Sequence, residues 1–196
     1  MKILNNKQEA IQELKRISNR TNSENNNKIN AIVEEILQEV KTYGDIAVEK
    51  YTKKFDGFNP KPMQVSSNDL KDAWEEIDGN LKRSLELAHK RIKKFHEKEI
   101  PSSFTLEGEH GDTVQRRWRP VKKAGIYIPG GRAAYPSTVL MNAIPAKVAG
   151  VQEIIMVSPG DREGNINKTV LAAAHLSEIN KVFRIGGAQA IGALAF

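Results

Sequence analysis

The chain has 196 residues, 39% of them hydrophobic and 28% charged, an ordinary balance for a folded protein and not a disordered one. Thirty Lys and Arg against 24 Asp and Glu leave a formal charge of +6, interleaved along helices and read as a solvated surface, not a nucleic-acid interface. Cysteine is absent, which excludes disulfides, Cys-ligated zinc and a thiol nucleophile from this chain.

The start, MKILNNKQEAIQELKR, lacks the apolar core of a signal peptide, and no apolar run is long enough to span a bilayer. The expectation is a cytoplasmic protein with neither membrane nor nucleic-acid partner.

Residues 8–17 read as a short helix with Ala10, Ile11, Leu14 and Ile17 on one face. A polar, Asn-rich stretch follows. From Lys28 the residues Ile29, Ile32, Val33, Ile36, Leu37 and Val40 recur at helical spacing until Gly44 supplies a stop. Asp45 is then expected to cap a helix carrying Ala47, Val48, Tyr51 and Phe55.

After a turn at 59–62, a short strand is expected at 63–65. Ser67 or Asn68 is expected to cap a helix with Leu70, Ala73, Trp74 and Ile77. Asp78-Gly79 separates it from a long helix with Leu81, Leu85, Ala88, Ile92 and Phe95 facing inward. The basic run 90–94 beside Phe95 is a candidate nucleic-acid contact, but the apolar period reads Phe95 as core. Pro101 stops the helix, and 103–121 reads as a β-hairpin with its turn at 108–112.

The pattern then changes. Residues 124–129 form a buried-type strand followed by Gly130-Gly131 and an apolar helix at about 136–148, with Pro145 marking a kink or break. A second strand is expected at 153–157, a loop at 158–167, a helix near 169–179 and a third strand at 182–185. Gly186-Gly187 then leads into a helix from Ala188. The alternation β-α-β-α-β-α predicts a Rossmann-like parallel sheet with crossover helices, incomplete because the chain stops inside its last helix. The expected fold class is α/β. A helical region with a hairpin occupies 1–122, and an incomplete dinucleotide-binding domain occupies 123–196.

Two elements share one plan: strand, double glycine, helix. Glycine allows close approach of backbone to a ligand, and a helix N-terminus offers free N–H groups and a positive dipole end. Ligands of open parallel sheets bind at the carboxyl ends of the strands, where both loops lie. Neither loop is a GxGxxG or P-loop fingerprint, so spacing alone leaves a nucleotide site and a plain tight turn equally open. Tyr127 is a core aromatic or a ligand contact, Gln189 solvates a helix start or meets a ligand, and Arg132 is an exposed turn residue or a phosphate contact. His89, His96, His110 and His175 lack metal-ligand spacing, and the paired glutamates sit on solvated helix faces. The residues themselves thus point to a nucleotide site without a catalytic centre or a metal site.

Several segments nevertheless resemble the histidinol dehydrogenase family. They are GIYIPGGRAAYPSTVLMNAIPAKVAGV at 125–151 and RIGGAQAIGALAF at 184–196, with YTKKFDG at 51–57, RIKKFHEKE at 91–99 and RWRPVKKAGIYIPGG leading into the first. The resemblance runs from Ile29 to Phe196. It implies oxidation of L-histidinol to L-histidine through L-histidinal, with two NAD and one zinc per active site, in an intertwined homodimer. It also implies NAD contacts at Tyr127 and Gln189, with Pro129 as a further one. The family's zinc ligands and its Glu–His proton-transfer pair fall beyond Phe196, so the chain alone is expected to be inactive. An aldehyde-oxidising reductase of the glutamyl-phosphate reductase type is an alternative. Others are a basic binding module and a truncated product without catalysis.

Overall fold

The computed structural model describes residues 4, 6–18, 24–130 and 134–196. Gly131 and Arg132, the second glycine of the first loop and its neighbour, lie outside the described residues.

The alternating segment forms a three-stranded parallel sheet. β3 (Lys123–Tyr127), β4 (Glu153–Val157) and β5 (Lys181–Phe183) lie in the order β3-β4-β5, with Ile126 opposite Met156 and Met156 opposite Val182. The expected strand at 63–65 is a single antiparallel bridge, Gln64 to Phe183, on the free side of β5. It is held by Val65 N–H on the Val182 carbonyl at 2.8 Å and Arg184 N–H on the Met63 carbonyl at 2.9 Å.

Successive side chains of a strand point to opposite faces, and two cores follow from that rule. Ile126, Ile128, Ile154, Met156 and Val182 face α6 (Pro136–Val148) and α7 (Lys168–Leu176), backed by α4 (Ser67–Glu76) and α5 (Gly79–His96). Tyr127, Val157 and Phe183 face the other way, toward α2 (Glu24–Tyr43), α3 (Asp45–Phe55) and α8 (Gly187–Ala195). The result is a three-layer α/β/α arrangement. Each aliphatic side chain fully buried in it contributes about 1.5–3 kcal/mol.

Several helix boundaries fall where local chemistry puts them. α6 begins at Pro136, whose missing N–H costs nothing at a first turn, and it runs through Pro145 without breaking. Pro145 forgoes one bond of the ladder, the one its missing N–H would make. α4 is capped by Ser66, one residue before the expected cap. Ser66 Oγ accepts from Asp69 N–H at 3.1 Å, and the Asp69 carboxylate accepts from Ser66 N–H at 3.2 Å. Asp45 is not the cap of α3. That place belongs to Gly44 at φ +56°, and Asp45 lies in the first turn, where its charge complements the helix dipole.

Outside the sheet the apolar periods are only partly covered. In α1 (Lys7–Ser18) none of the residues is buried, and Leu14 is 66% exposed. Ile36 and Val40 of α2 are core, whereas Ile29 and Ile32 are exposed. Phe95 does not face the core as the period predicts. It is 63% exposed at the end of α5, edge-on to His96 at 5.2 Å. The hairpin of β1 (Phe104–Glu107) and β2 (Thr113–Arg116) pairs Leu106 with Val114, and both strands are exposed throughout.

Candidate functional site

The strand ends are level. Ile128 N–H donates to the Val157 carbonyl at 2.9 Å and Ser158 N–H to the Phe183 carbonyl at 3.0 Å. The ladder therefore reaches past the named strands and delivers three loops to one edge of the sheet.

Pro159 sits between two of them. A Cβ on Gly130 would come within 2.7 Å of the Pro159 carbonyl oxygen, and one on Gly186 within 2.5 Å of Pro159 Cβ. Neither glycine can carry a side chain without displacing the proline. The reason for glycine here is therefore contact between the loops. Pro129, Gly130, Ser158, Pro159, Asp161 and Lys168 line a cavity of about 310 Å³ at this edge.

Tyr127 and Gln189 meet around a third glycine. Gly187, at φ +64°, opens α8, and its N–H donates to the Tyr127 hydroxyl at 3.1 Å. The bond replaces a side-chain cap, which α8 lacks, and leaves the Tyr127 O–H proton free to donate. Gln189 folds back over the same residue, since a Cβ on Gly187 would lie 2.6 Å from Gln189 Oε1. Gln189 is 1% exposed, and neither its Oε1 nor its Nε2 has a hydrogen-bond partner in the protein. A buried amide with both ends unpaired costs about 1–3 kcal/mol for each group, so its retention needs a reason beyond packing.

Pro129 lies apart from that pair, beside the cavity and joined to it through Pro159 and Gly186. The three expected cofactor residues thus share one edge of the sheet in two groups. Residues 158–161 carried no signal beyond a polar loop. The packing of Pro159 against both glycines is a three-dimensional fact that no local pattern announces.

The histidines are dispersed. His175 stacks on Trp74 with ring centroids 6.3 Å apart, His96 pairs with Glu99 at 2.5 Å, and His110 lies in the hairpin turn. His89 is held below the usual imidazole range, first by burial and then by Lys93. Among the described residues no three His, Cys, Asp or Glu side chains are grouped to hold a metal ion. The described residues therefore do not fit a zinc site. The unpaired Gln189 amide and the Tyr127 hydroxyl proton are the groups here with hydrogen-bonding capacity left for a dinucleotide.

A family model described as histidinol dehydrogenase matches residues 19–196, the segment that builds both loops. The chain belongs to the histidinol dehydrogenase family. A protein named histidinol dehydrogenase in Prochlorococcus marinus (strain MIT 9312) is 88% identical over all of this chain and 44% of its own length. Its counterpart in Gloeobacter violaceus (strain ATCC 29082 / PCC 7421) is 44% identical, again over all of this chain and 44% of its own. The crystal structure of histidinol dehydrogenase from Elizabethkingia anophelis superposes with a TM-score of 0.81 at 38% identity, covering 86% of this chain and 39% of that one. The chain thus spans less than half the length of these relatives. The match favours histidinol dehydrogenase over the aldehyde-oxidising reductase weighed from the sequence. No described helix is long and apolar enough to cross a membrane.

Proposed function

We propose that this chain provides the NAD-binding part of a cytoplasmic histidinol dehydrogenase, which oxidises L-histidinol to L-histidine through L-histidinal. The reading is supported above all by Gln189, a buried amide with no protein partner at the start of α8. Tyr127 and Gln189 contact the dinucleotide, and Pro129 borders it. NAD, when bound, accepts the hydride. The residues here bind and orient it: Tyr127 donates its hydroxyl proton, Gln189 offers a donor and an acceptor, and the start of α8 favours an anionic group.

The oxidation also needs a base to take the alcohol proton, an assistance worth about 10²–10⁴-fold in rate. No residue described here is assigned that task. Zinc and the proton-transfer pair are assigned to the rest of the family's longer chain, and the active form to a homodimer. The chain by itself is accordingly inactive. Its two segments, 1–122 and 123–196, serve as a helical surround and a cofactor cradle that share their cores.

Two measurements on the purified chain test this. Saturating NAD raises the melting temperature, and histidinol with NAD yields no NADH. An unchanged melting temperature removes the cofactor reading, and steady NADH formation removes the claim of inactivity.

A further inference from the structure

Phe58 is a buried aromatic residue that stands outside both cores. It is 7% exposed, yet it belongs to neither of the apolar clusters that flank the sheet. Its ring packs instead on Gly164, a buried residue of the loop between β4 and α7. A Cβ on Gly164 would lie 2.8 Å from Phe58 Cδ2 and 3.1 Å from Cε2. Gly164 is at φ +83°, a conformation open to glycine at no steric cost.

Both sides of this contact are tied to the sheet. Phe58 leads into the segment that bridges to β5, through Arg184 N–H on the Met63 carbonyl and Val65 N–H on the Val182 carbonyl. On the other side, residues 161–165 close into a tight turn. Asp161 Oδ1 accepts from Glu163 N–H and Asn165 N–H, each at 2.9 Å. Asp161 N–H donates to the Asn165 carbonyl at 3.0 Å, and Gly164 N–H donates to the Asp161 carbonyl at 2.9 Å. A Cβ on Gly160 would lie 2.7 Å from the Gly164 carbonyl carbon, so the turn doubles back onto the residue next to Pro159. Pro159 in turn stands between Gly130 and Gly186. A continuous line of contacts thus runs from the Phe58 ring, through the turn, to the spacer between the two glycine loops.

We propose that Phe58 is a positioning residue of the cofactor site, seating the turn at 161–165 and through it Pro159. This rests on the cofactor reading above.

The test is calorimetric titration of the full chain and its variants with NAD, alongside their melting temperatures. Phe58→Ala removes the ring beside the turn, and Gly164→Ala forces the turn away from it. Each weakens NAD binding about ten-fold, the effect of losing a pre-formed edge. Leu85→Ala, in the core under α5, lowers the melting temperature and leaves NAD affinity unchanged, which separates positioning from stability. Parent-like NAD affinity in folded Phe58→Ala or Gly164→Ala overturns the proposal and leaves the cofactor reading intact. So does an equal loss of affinity in Leu85→Ala, which assigns the effect to stability. An absence of NAD binding by the parent overturns both. Gly164→Ala carries the same prediction from the loop side, so misfolding of Phe58→Ala does not spare the proposal.

Discussion

Replacing Gln189 by Met sets the stability of the empty site against its function. The Gln189 amide is buried with both polar atoms unpaired, and leaving such groups out of water costs about 1–3 kcal/mol each, so about 2 kcal/mol for the pair at the lower bound. Methionine has a similar length and no strong polar group, and as a good helix former it suits the first turn of α8. Without NAD, Gln189→Met therefore stabilises the chain by about 2 kcal/mol. At roughly 2–4 °C per kcal/mol for a chain of this size, that raises the melting temperature by about 4–8 °C. NAD reverses the order. At a concentration about a hundred times its dissociation constant, it stabilises the parent by about 2.7 kcal/mol and leaves the variant unmoved. Thermal melts of both proteins with and without NAD measure all four states. A variant less stable than the parent in the absence of NAD refutes the argument from the unpaired amide. A variant shifted by NAD as far as the parent refutes the contact.

Two further predictions concern the frame around the site. Ser66→Ala removes the side-chain half of the capping box on α4, the Oγ that accepts from Asp69 N–H, and costs about 1 kcal/mol, read as a melting temperature lower by roughly 2–4 °C. The Glu153 carboxylate is held below its usual range by hydrogen bonds from Lys181 first and Lys123 second, the latter at 2.9 Å. A depressed carboxylate contributes stability above its unfolded pKa, about 4.3, and loses it as the pH falls through the folded value. Glu153→Gln is therefore less stable than the parent near neutral pH, and the gap closes as the pH falls below the ordinary carboxylate range. Urea midpoints across that range check the sign, and a gap that widens in acid contradicts it.

Much of the parallel unit was legible in the sequence because its signals are local. Pro136 marks the first turn of α6, Glu153–Val157 is a buried apolar run, and each double glycine follows a strand. The order β3-β4-β5 follows from the crossover helices between the strands. The period of α5 extends to Phe95, and that of α1 to Leu14, yet both side chains are exposed. Periodicity says which residues share a face, whereas burial depends on what stands opposite. The caps at Ser66 and Gly44 lie one residue from the expected Ser67 and Asp45, because several adjacent residues were chemically able to cap. At the candidate site, family motifs single out Tyr127 and Gln189 as expected cofactor contacts. Their meeting at Gly187 has no sequence signal, since residues far apart in the chain are joined there by a 3.1 Å hydrogen bond.

The place of Pro159 between Gly130 and Gly186 has a mechanical consequence. The spacing of the two glycine loops is set by the width of one pyrrolidine ring, a part with almost no internal freedom. The loops are gauged against each other before any ligand arrives. A shift of Gly130 or Gly186 toward the other is resisted by the ring between them.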